Sequence, residues 1–333
     1  HGFGAVVSPA NEVTTEGQPD FLIRDLGTGN DAPDAIQIDQ PRIYFGEGVQ
    51  SSEFVIVGTK ELEVDSPVEA GADRLAFNTY DGSGGVEMGS IFRRAAYALR
   101  YADVNTLISG QITGDSRVLM YRNLRDRIEK AAPFLYPDAD PYLVVQDGRF
   151  VWVQDLYTVT DRYPYSTPAV TARLNGRNST LPTDFNYVRN SVKAVVDGYD
   201  GTVTMFVVDT EDPLISAWSS AFPDLFSPIS EAPPGLEEHF RYPADIFKVQ
   251  TEMYATYQVS QPRQFLQGDL AWSVATQPPT DASRDTGGAT ATSTAGSNNP
   301  MVPQYRVTRL PGETESEFIV QRAYVPQSGG DTG

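Results

Sequence analysis

The stretch Tyr142-Leu-Val-Val-Gln-Asp-Gly-Arg-Phe-Val-Trp-Val-Gln-Asp-Leu-Tyr-Thr-Val-Thr160 decides the fold class. Two runs rich in Val, Phe, Trp and Tyr flank Asp147-Gly148, and that dipeptide supplies the positive φ angles a two-residue hairpin turn demands. The pattern predicts strands at 142–145 and 150–159. Upstream, Arg42–Phe45 and Phe54–Val57 read as short strands between turn residues. Helical spacing begins after Ser90, where Ile91, Phe92, Ala95, Ala96 and Leu99 form one stripe with Arg93, Arg94 and Arg100 turned away. Asp103 is read as the cap of a short successor. A further helix is expected from about Ser116, with Val118, Tyr121, Leu124 and Ile128 on one face.

Downstream, Val188, Val192, Val195 and Val196 stripe a predicted helix that runs through Asp200-Gly201 into a strand at 203–208. The plan therefore reads as two helix–Asp-Gly–strand units, from an old duplication or from the economy of α+β folds. Pro213 and Pro243 each open a predicted core helix, the second lined by Ile246, Phe247, Val249, Met253, Tyr254 and Tyr257. Strands at 305–310 and 317–324, around Pro311-Gly312, are expected to join the main sheet. Together these elements predict an α+β fold, largely antiparallel sheet with packed helices. The domain is placed at 1–276, with room for two subdomains. Residues 277–299 are a low-complexity loop or linker, 300–326 a returning strand pair, and 327–333 a disordered tail.

Composition narrows the function more than any motif does. Lys and Arg number 25 against 44 Asp and Glu, a net charge of −19 that repels a phosphate backbone and argues against nucleic acid as a partner. Zero cysteines exclude thiol nucleophiles, thiolate metal sites and disulfides. With His1 and His239 as the two histidines, a three-histidine zinc site is impossible. No window approaches the ~18 apolar residues of a membrane-spanning helix. The first residue is not methionine and no leader comes after it, so the chain is expected to begin inside a longer polypeptide.

Carboxylates are thus the plentiful reactive groups. Asp138, Asp140 and Asp147 gather in one region and are the candidate metal ligands, with calcium the ion their hard oxygens suit. Their spacing departs from an EF-hand loop, and turn formation accounts for the same residues. No other cofactor is expected. His239, with a flanking carboxylate, Glu238 and Asp155 are the candidate catalytic groups, the glycosidase reading pairing Asp138 with Asp155 or Glu237 with Glu238, against helix-end capping for His239. Tyr163 and Tyr165, in a polar turn, and Arg93 and Arg94 are candidate ligand-binding residues; the arginines are also suited to pair with surplus carboxylates. Asp81-Gly82-Ser83-Gly84-Gly85 precedes a helix as phosphate loops do, but it lacks a succeeding Gly-Lys-Ser/Thr, and Asp81 and Glu87 repel phosphate, so it is read as a flexible strand-to-helix turn. Asn178-Ser179-Thr180 matches the glycosylation sequon and is assigned no role.

One long block, Asp184-Phe-Asn-Tyr-Val-Arg-Asn-Ser-Val-Lys-Ala-Val-Val-Asp-Gly-Tyr-Asp-Gly-Thr-Val203, resembles a block of Uncharacterised Protein Family 0182 (UPF0182). Pro41-Arg42-Ile43-Tyr44-Phe45-Gly46-Glu47, Tyr163-Pro164-Tyr165-Ser166 and His239-Phe240-Arg241-Tyr242-Pro243 agree in order. The resemblance implies a large bacterial multi-pass membrane protein with about seven transmembrane helices. This chain would be its extracytoplasmic domain, at the plasma membrane, and its own upstream transmembrane region its first partner. No family activity or catalytic residue carries over. The expected function is noncatalytic sensing, binding or assembly, with cell-envelope components as further partners. The alternative is a carboxylate-based hydrolase acting on an envelope polymer.

Overall fold

The computed structural model describes residues 2–23, 33, 36–49, 54–67, 75–169, 180–259, 261–267, 272–277 and 300–326. The expected linker from 278 onward, the tail, His1 and Asn178-Ser179 lie outside these. The chain divides into two compact units. Unit 1 comprises His1–Pro137, Pro141–Thr158 and Ser191–Phe240; unit 2 comprises Asp138–Asp140, Val159–Asn190 and Arg241–Gly333. Its helices and mostly antiparallel sheets make it an α+β protein.

The Asp147-Gly148 hairpin forms as its sequence dictates. Tyr142–Gln146 pairs antiparallel with Arg149–Thr160, and Asp147 (φ 49°) and Gly148 (φ 72°) make the turn. This ribbon belongs to a six-stranded sheet ordered Phe226–Pro228, Val203–Val207, Tyr187–Asp197, Arg149–Thr160 and Tyr136–Pro137, with Tyr142–Gln146 also paired to the Arg149 strand. Val203–Val207 runs antiparallel to its neighbour, Val192 opposite Val207, whereas Phe226–Pro228 joins it parallel.

The expected helix at 188–196 is therefore a strand, and the two helix–Asp-Gly–strand units are two hairpins instead. The valine spacing misled because both faces are covered. Val192, Ala194 and Val196 pack into one cluster with Leu156, Met205 and Ile215, while Val195 faces Val153, Phe206 and Leu236. A strand apolar on both sides shows no alternation, and four valines then mimic a helical stripe. Against the first face lie α3 (Leu124–Ala131), through Leu124 and Ile128, and α4 (Pro213–Ala221), through Ile215.

The helix expected from Ser116 starts later. Arg117–Leu119 is the middle strand of a three-stranded sheet with Val55–Val57 and Val86–Glu87. The chain turns at Tyr121 (φ 49°), and Asn123, whose side chain accepts from the Arg125 and Asp126 amides, caps α3. Helix α1 (Ile91–Tyr101) and the short α2 (Asn105–Ile108) form where expected, and Asp103 accepts from the Asn105 amide at 3.0 Å. The orientation of α1 is the reverse of what an apolar stripe normally means. Ile91, Phe92 and Leu99 are 59, 84 and 85% exposed. Arg94, Tyr97 and Tyr101 turn inward: Tyr101 stacks on Phe54 at 3.9 Å, and Arg94 donates to the carbonyls of Met88, Ile112 and Thr113.

In unit 2, α5 (Ala244–Tyr257) begins after Pro243 as expected. Its buried residues are Ala244, Asp245, Lys248, Val249, Thr251 and Ala255, while Met253, Tyr254 and Tyr257 are exposed. The predicted core helix thus buries a half-polar face: Lys248 pairs with Asp245 Oδ1 at 2.7 Å, and Thr251 bonds back to the Phe247 carbonyl. Val249 packs with Phe185, Val159, Leu181 and Val188. Gln304–Thr308 and Glu317–Gln321 pair with each other, and Trp272–Val274 pairs with Tyr324–Pro326. Among the described residues neither pair joins the six-stranded sheet, so the terminal strands are not part of it.

Candidate functional site

Polar chemistry in unit 1 concentrates around the glycine-rich loop 81–85. Three tyrosine rings pack there: Tyr44 against Tyr80 and Tyr199 edge-on at 4.9 and 5.3 Å, and Tyr80 against Tyr199 at 5.0 Å. The Asp200 carboxylate sits against this loop, at the Ser83 amide. Its Oδ1 accepts from the Ser83 amide at 2.9 Å and the Tyr80 hydroxyl at 3.2 Å, and Oδ2 accepts from Arg149 Nη2 at 2.9 Å. The Tyr80 oxygen in turn accepts from the Gly84 amide at 3.0 Å.

Glycine is required by close approach. A Cβ on Gly82 would lie 2.3 Å from Asp200 Oδ1, and one on Gly84 2.1 Å from the Asp200 carbonyl oxygen. The loop expected to be a flexible strand-to-helix turn instead joins the strands Leu75–Asn78 and Val86–Glu87 and is clasped onto Asp200, so it receives an anion from its own chain at the Ser83 amide. Asp197 fixes that carboxylate's backbone by accepting from the Tyr199 and Asp200 amides at 2.8 and 2.7 Å.

This packing sets the electrostatics. Burial works against the Asp200 charge, but Arg149, the Ser83 amide and the Tyr80 hydroxyl outweigh it and hold the carboxyl below its ordinary range. Burial, with the Glu63 carboxylate accepting its hydrogen bond, raises Tyr44 far above its usual value; burial and Asp200 do the same to Tyr80. Tyr199, buried and donating to Asp81 Oδ1 at 2.6 Å, is pushed up to about 12. These tyrosines are therefore neutral hydrogen-bond donors at neutral pH. The rim adds a bidentate pair, Arg42 to Asp65.

Unit 2 holds a second feature, an open recess of about 470 Å³ lined by Phe247, Gln250, Thr251, Tyr254, Arg322 and Tyr324 with the edge residues Val320 and Gln321. Arg322 is its buried cation, with a side chain 3% exposed. It donates to the Met301 carbonyl at 2.7 Å and to Thr251 Oγ1, and lies 3.8 Å from Glu252. Burial lowers its affinity for its proton from the ordinary value, partly offset by Glu252. Tyr324 donates to the Thr251 carbonyl at 2.8 Å. The recess therefore has a pinned polar base and an aromatic wall, of which Tyr254 is 65% exposed.

The family model described as Uncharacterised protein family (UPF0182) matches residues 1–330. The chain belongs to the UPF0182 family. Relatives named UPF0182 protein include one from Methanospirillum hungatei, 38% identical over 98% of this chain, and one from Salinispora tropica, 41% identical over 98%. A third, from Frankia alni, is 42% identical over 96%. The chain spans about a third of the length of these relatives, 33, 33 and 30% respectively. No solved structure matches it. Membership of UPF0182 brings no assigned activity, so the sites rest on their geometry.

Within this UPF0182 chain the sequence-derived candidates are scattered. Asp138 is buried and accepts from the Asp245 amide at 2.8 Å, so it caps α5 from a distant strand end, and it also accepts from the Asp140 amide at 2.9 Å. Asp140 is exposed, and Asp147 is exposed in the hairpin turn of unit 1. Among the described residues no three His, Cys, Asp or Glu gather as metal ligands. Asp155 is buried and pairs with Lys193, whose ammonium lies 5.0 Å from the Phe240 ring centre. Glu237, Glu238 and His239 are exposed on a 3-10 turn.

Tyr163 stacks on Tyr187 at 5.4 Å, the turn is tied to Asn186, and Tyr165 is fully exposed. Arg94 and Arg93 bond backbone carbonyls, Arg93 that of Glu87 at 3.3 Å, rather than the surplus carboxylates. Sequence reading passed over Asp200, Tyr44, Tyr80 and Arg322. For Asp200 the glycine-rich loop was a partial signal: its glycines mark a close approach, but it leads into the strand Val86–Glu87 and not a helix, and nothing local named the approaching residue. For Arg322 nothing local distinguished it.

Proposed function

We propose that the chain is a noncatalytic binding or assembly domain, held outside the plasma membrane by the membrane-embedded part of a larger polypeptide. The observation that carries the binding half is the recess on α5. An exposed Tyr254, the Phe247 and Tyr324 rings and the amides of Gln250 and Gln321 surround a pinned guanidinium. Aromatic faces with a few fixed donors suit a hydroxyl- or amide-rich ligand such as an envelope saccharide or peptide. The engaged carboxylates support a structural rather than reactive role for the acids: buried Asp138 caps a helix, buried Asp155 neutralises Lys193, half-buried Asp200 closes the glycine loop and buried Asp212 caps α4.

The test is a thermal-shift screen of the chain against cell-wall saccharides, peptides and divalent ions, repeated on Tyr254→Ala. A ligand that raises the midpoint in the parent and not in the variant supports the reading. No shift from any class counts against it. Turnover of an envelope polymer that disappears in Glu238→Gln or His239→Gln would replace it with the hydrolase alternative.

A further inference from the structure

Helix α1 is built inside out for a surface helix of a water-soluble domain. Its apolar arc, Ile91, Phe92, Ala95, Ala96 and Leu99, is exposed along its length, and the turn into α2 adds Val104 and Ile108, 65 and 71% exposed. Single exposed apolar residues are ordinary; a contiguous arc on one helix is not. The helix is fixed by its other side, through the Phe54, Tyr97 and Tyr101 stack and the three carbonyls gripped by Arg94.

The charge beside that arc is the second observation. In a chain of net −19, the segment Met88–Ala102 holds Arg93, Arg94 and Arg100 and no carboxylate. At 100° per residue Arg93 and Arg100 fall on one flank of the apolar arc, and both are exposed. Arg100 donates to the Tyr121 hydroxyl at 2.7 Å, and the Lys130 ammonium sits over the same ring at 5.7 Å, extending the cationic edge. The nearest acids in sequence are engaged: Glu87 pairs with Arg117 at 2.8 Å, and Asp103 accepts from Asn105 and Thr106.

We propose that the α1 face seats on a lipid surface carrying anionic headgroups. Phe92, Ile91 and Leu99 enter the headgroup–acyl boundary, and Arg93, Arg100 and Lys130 reach the phosphates. The overall negative charge does not prevent this, because at physiological salt charges beyond about 8 Å are largely screened and the surface senses the local patch. An apolar arc with arginines along one edge matches such a boundary in both chemistry and geometry.

The absence of cysteine makes the test direct. Phe92→Cys carries an environment-sensitive fluorophore, with Tyr165→Cys, exposed in a different turn, as the control. Phosphatidylcholine vesicles with and without phosphatidylglycerol are added to the whole chain. Expected are a blue shift at position 92 and none at 165, stronger with phosphatidylglycerol. Unlabelled chain should co-sediment with these vesicles, losing about tenfold or more in partition on Arg93→Gln/Arg100→Gln and again on Phe92→Ser/Leu99→Ser. Circular dichroism of these variants, matching the parent, separates loss of contact from loss of fold. No shift at 92, or co-sedimentation unaffected by both pairs of substitutions, overturns the proposal. So does concentration-dependent self-association abolished by Phe92→Ser/Leu99→Ser without vesicle binding, which would assign the face to a second copy. The saccharide and peptide screen reads a different part of the molecule, so either reading can fail without the other.

Discussion

Asp200 offers the sharpest test of how the glycine loop is held. In Asp200→Ala the Ser83 amide and the Tyr80 hydroxyl lose their acceptor, while Arg149 keeps Asp197 at 3.2 Å. Two bonds to a carboxylate 14% exposed are lost, at about 1.5 kcal/mol each, so the loss is about 3 kcal/mol. For a unit of this size that is a fall of roughly 6–12 °C in midpoint. Asp200→Asn keeps an oxygen for Ser83 and gives up mainly the charge toward Arg149, so it should cost about 1 kcal/mol. Urea unfolding monitored by near-ultraviolet circular dichroism of the tyrosine cluster measures both. Alanine within about 0.5 kcal/mol of the parent, or asparagine as damaging as alanine, would show that the carboxylate does not hold the loop.

The same geometry makes Gly84→Ala costly, about 2 kcal/mol or more, because its Cβ meets the Asp200 carbonyl backbone, which cannot swing aside; equilibrium unfolding reads it. Lys193→Met strands the Asp155 carboxylate and should lose about 3–5 kcal/mol, whereas Lys193→Met with Asp155→Leu should recover most of that; a double variant as unstable as the single would refute the pairing argument. Asp200 titrates lower folded than unfolded, so its contribution is complete above the unfolded value near 3.9 and is lost as pH falls through the folded value; a stability profile of Asp200→Asn should therefore be flatter below about pH 4. The tyrosines have the opposite sign: raised in the fold, their contribution is complete below the unfolded value of about 10 and lost as pH rises toward about 12 for Tyr199. Tyrosinate absorbance should thus appear together with alkaline unfolding, and Tyr199→Phe should delay it.

The features legible in the sequence were those that local chemistry dictates. Asp147-Gly148 imposes its turn regardless of surroundings, Pro213 sits in the first turn of α4 and Pro243 directly before α5, and Asp103 accepts from the Asn105 amide at the start of α2. Apolar spacing misled wherever the environment departed from one buried face and one wet face. The valines of 188–196 lie in a strand covered on both sides, the stripe of α1 faces outward, and α5 buries Asp245, Lys248 and Thr251 while exposing Tyr254 and Tyr257. The groups that decide the outcome come from elsewhere in the chain, such as the Asp138 carboxylate at the Asp245 amide of α5 or the backbone carbonyls of Ile112 and Thr113 at Arg94.

The glycine loop shows why the candidate sites were harder still. A backbone amide presented by a glycine-rich loop favours negative charge, as the Ser83 amide does here. That preference leaves open whether the charge is a ligand's or the protein's own. Asp81 and Glu87 weigh against a phosphate, yet they do not exclude an anion: Asp81 accepts from Tyr199, Glu87 pairs with Arg117, and neither is among the groups that bond Asp200. The deciding residue lies well over a hundred positions downstream, in an Asp-Gly turn whose backbone Asp197 fixes. In a chain this acidic, such a loop amide has many internal carboxylates to compete for it, each held in the same molecule. A free ligand must beat that tethered competitor. Ligands are therefore to be sought where the chain's own carboxylates do not reach, at the aromatic recess of α5 and the outward face of α1.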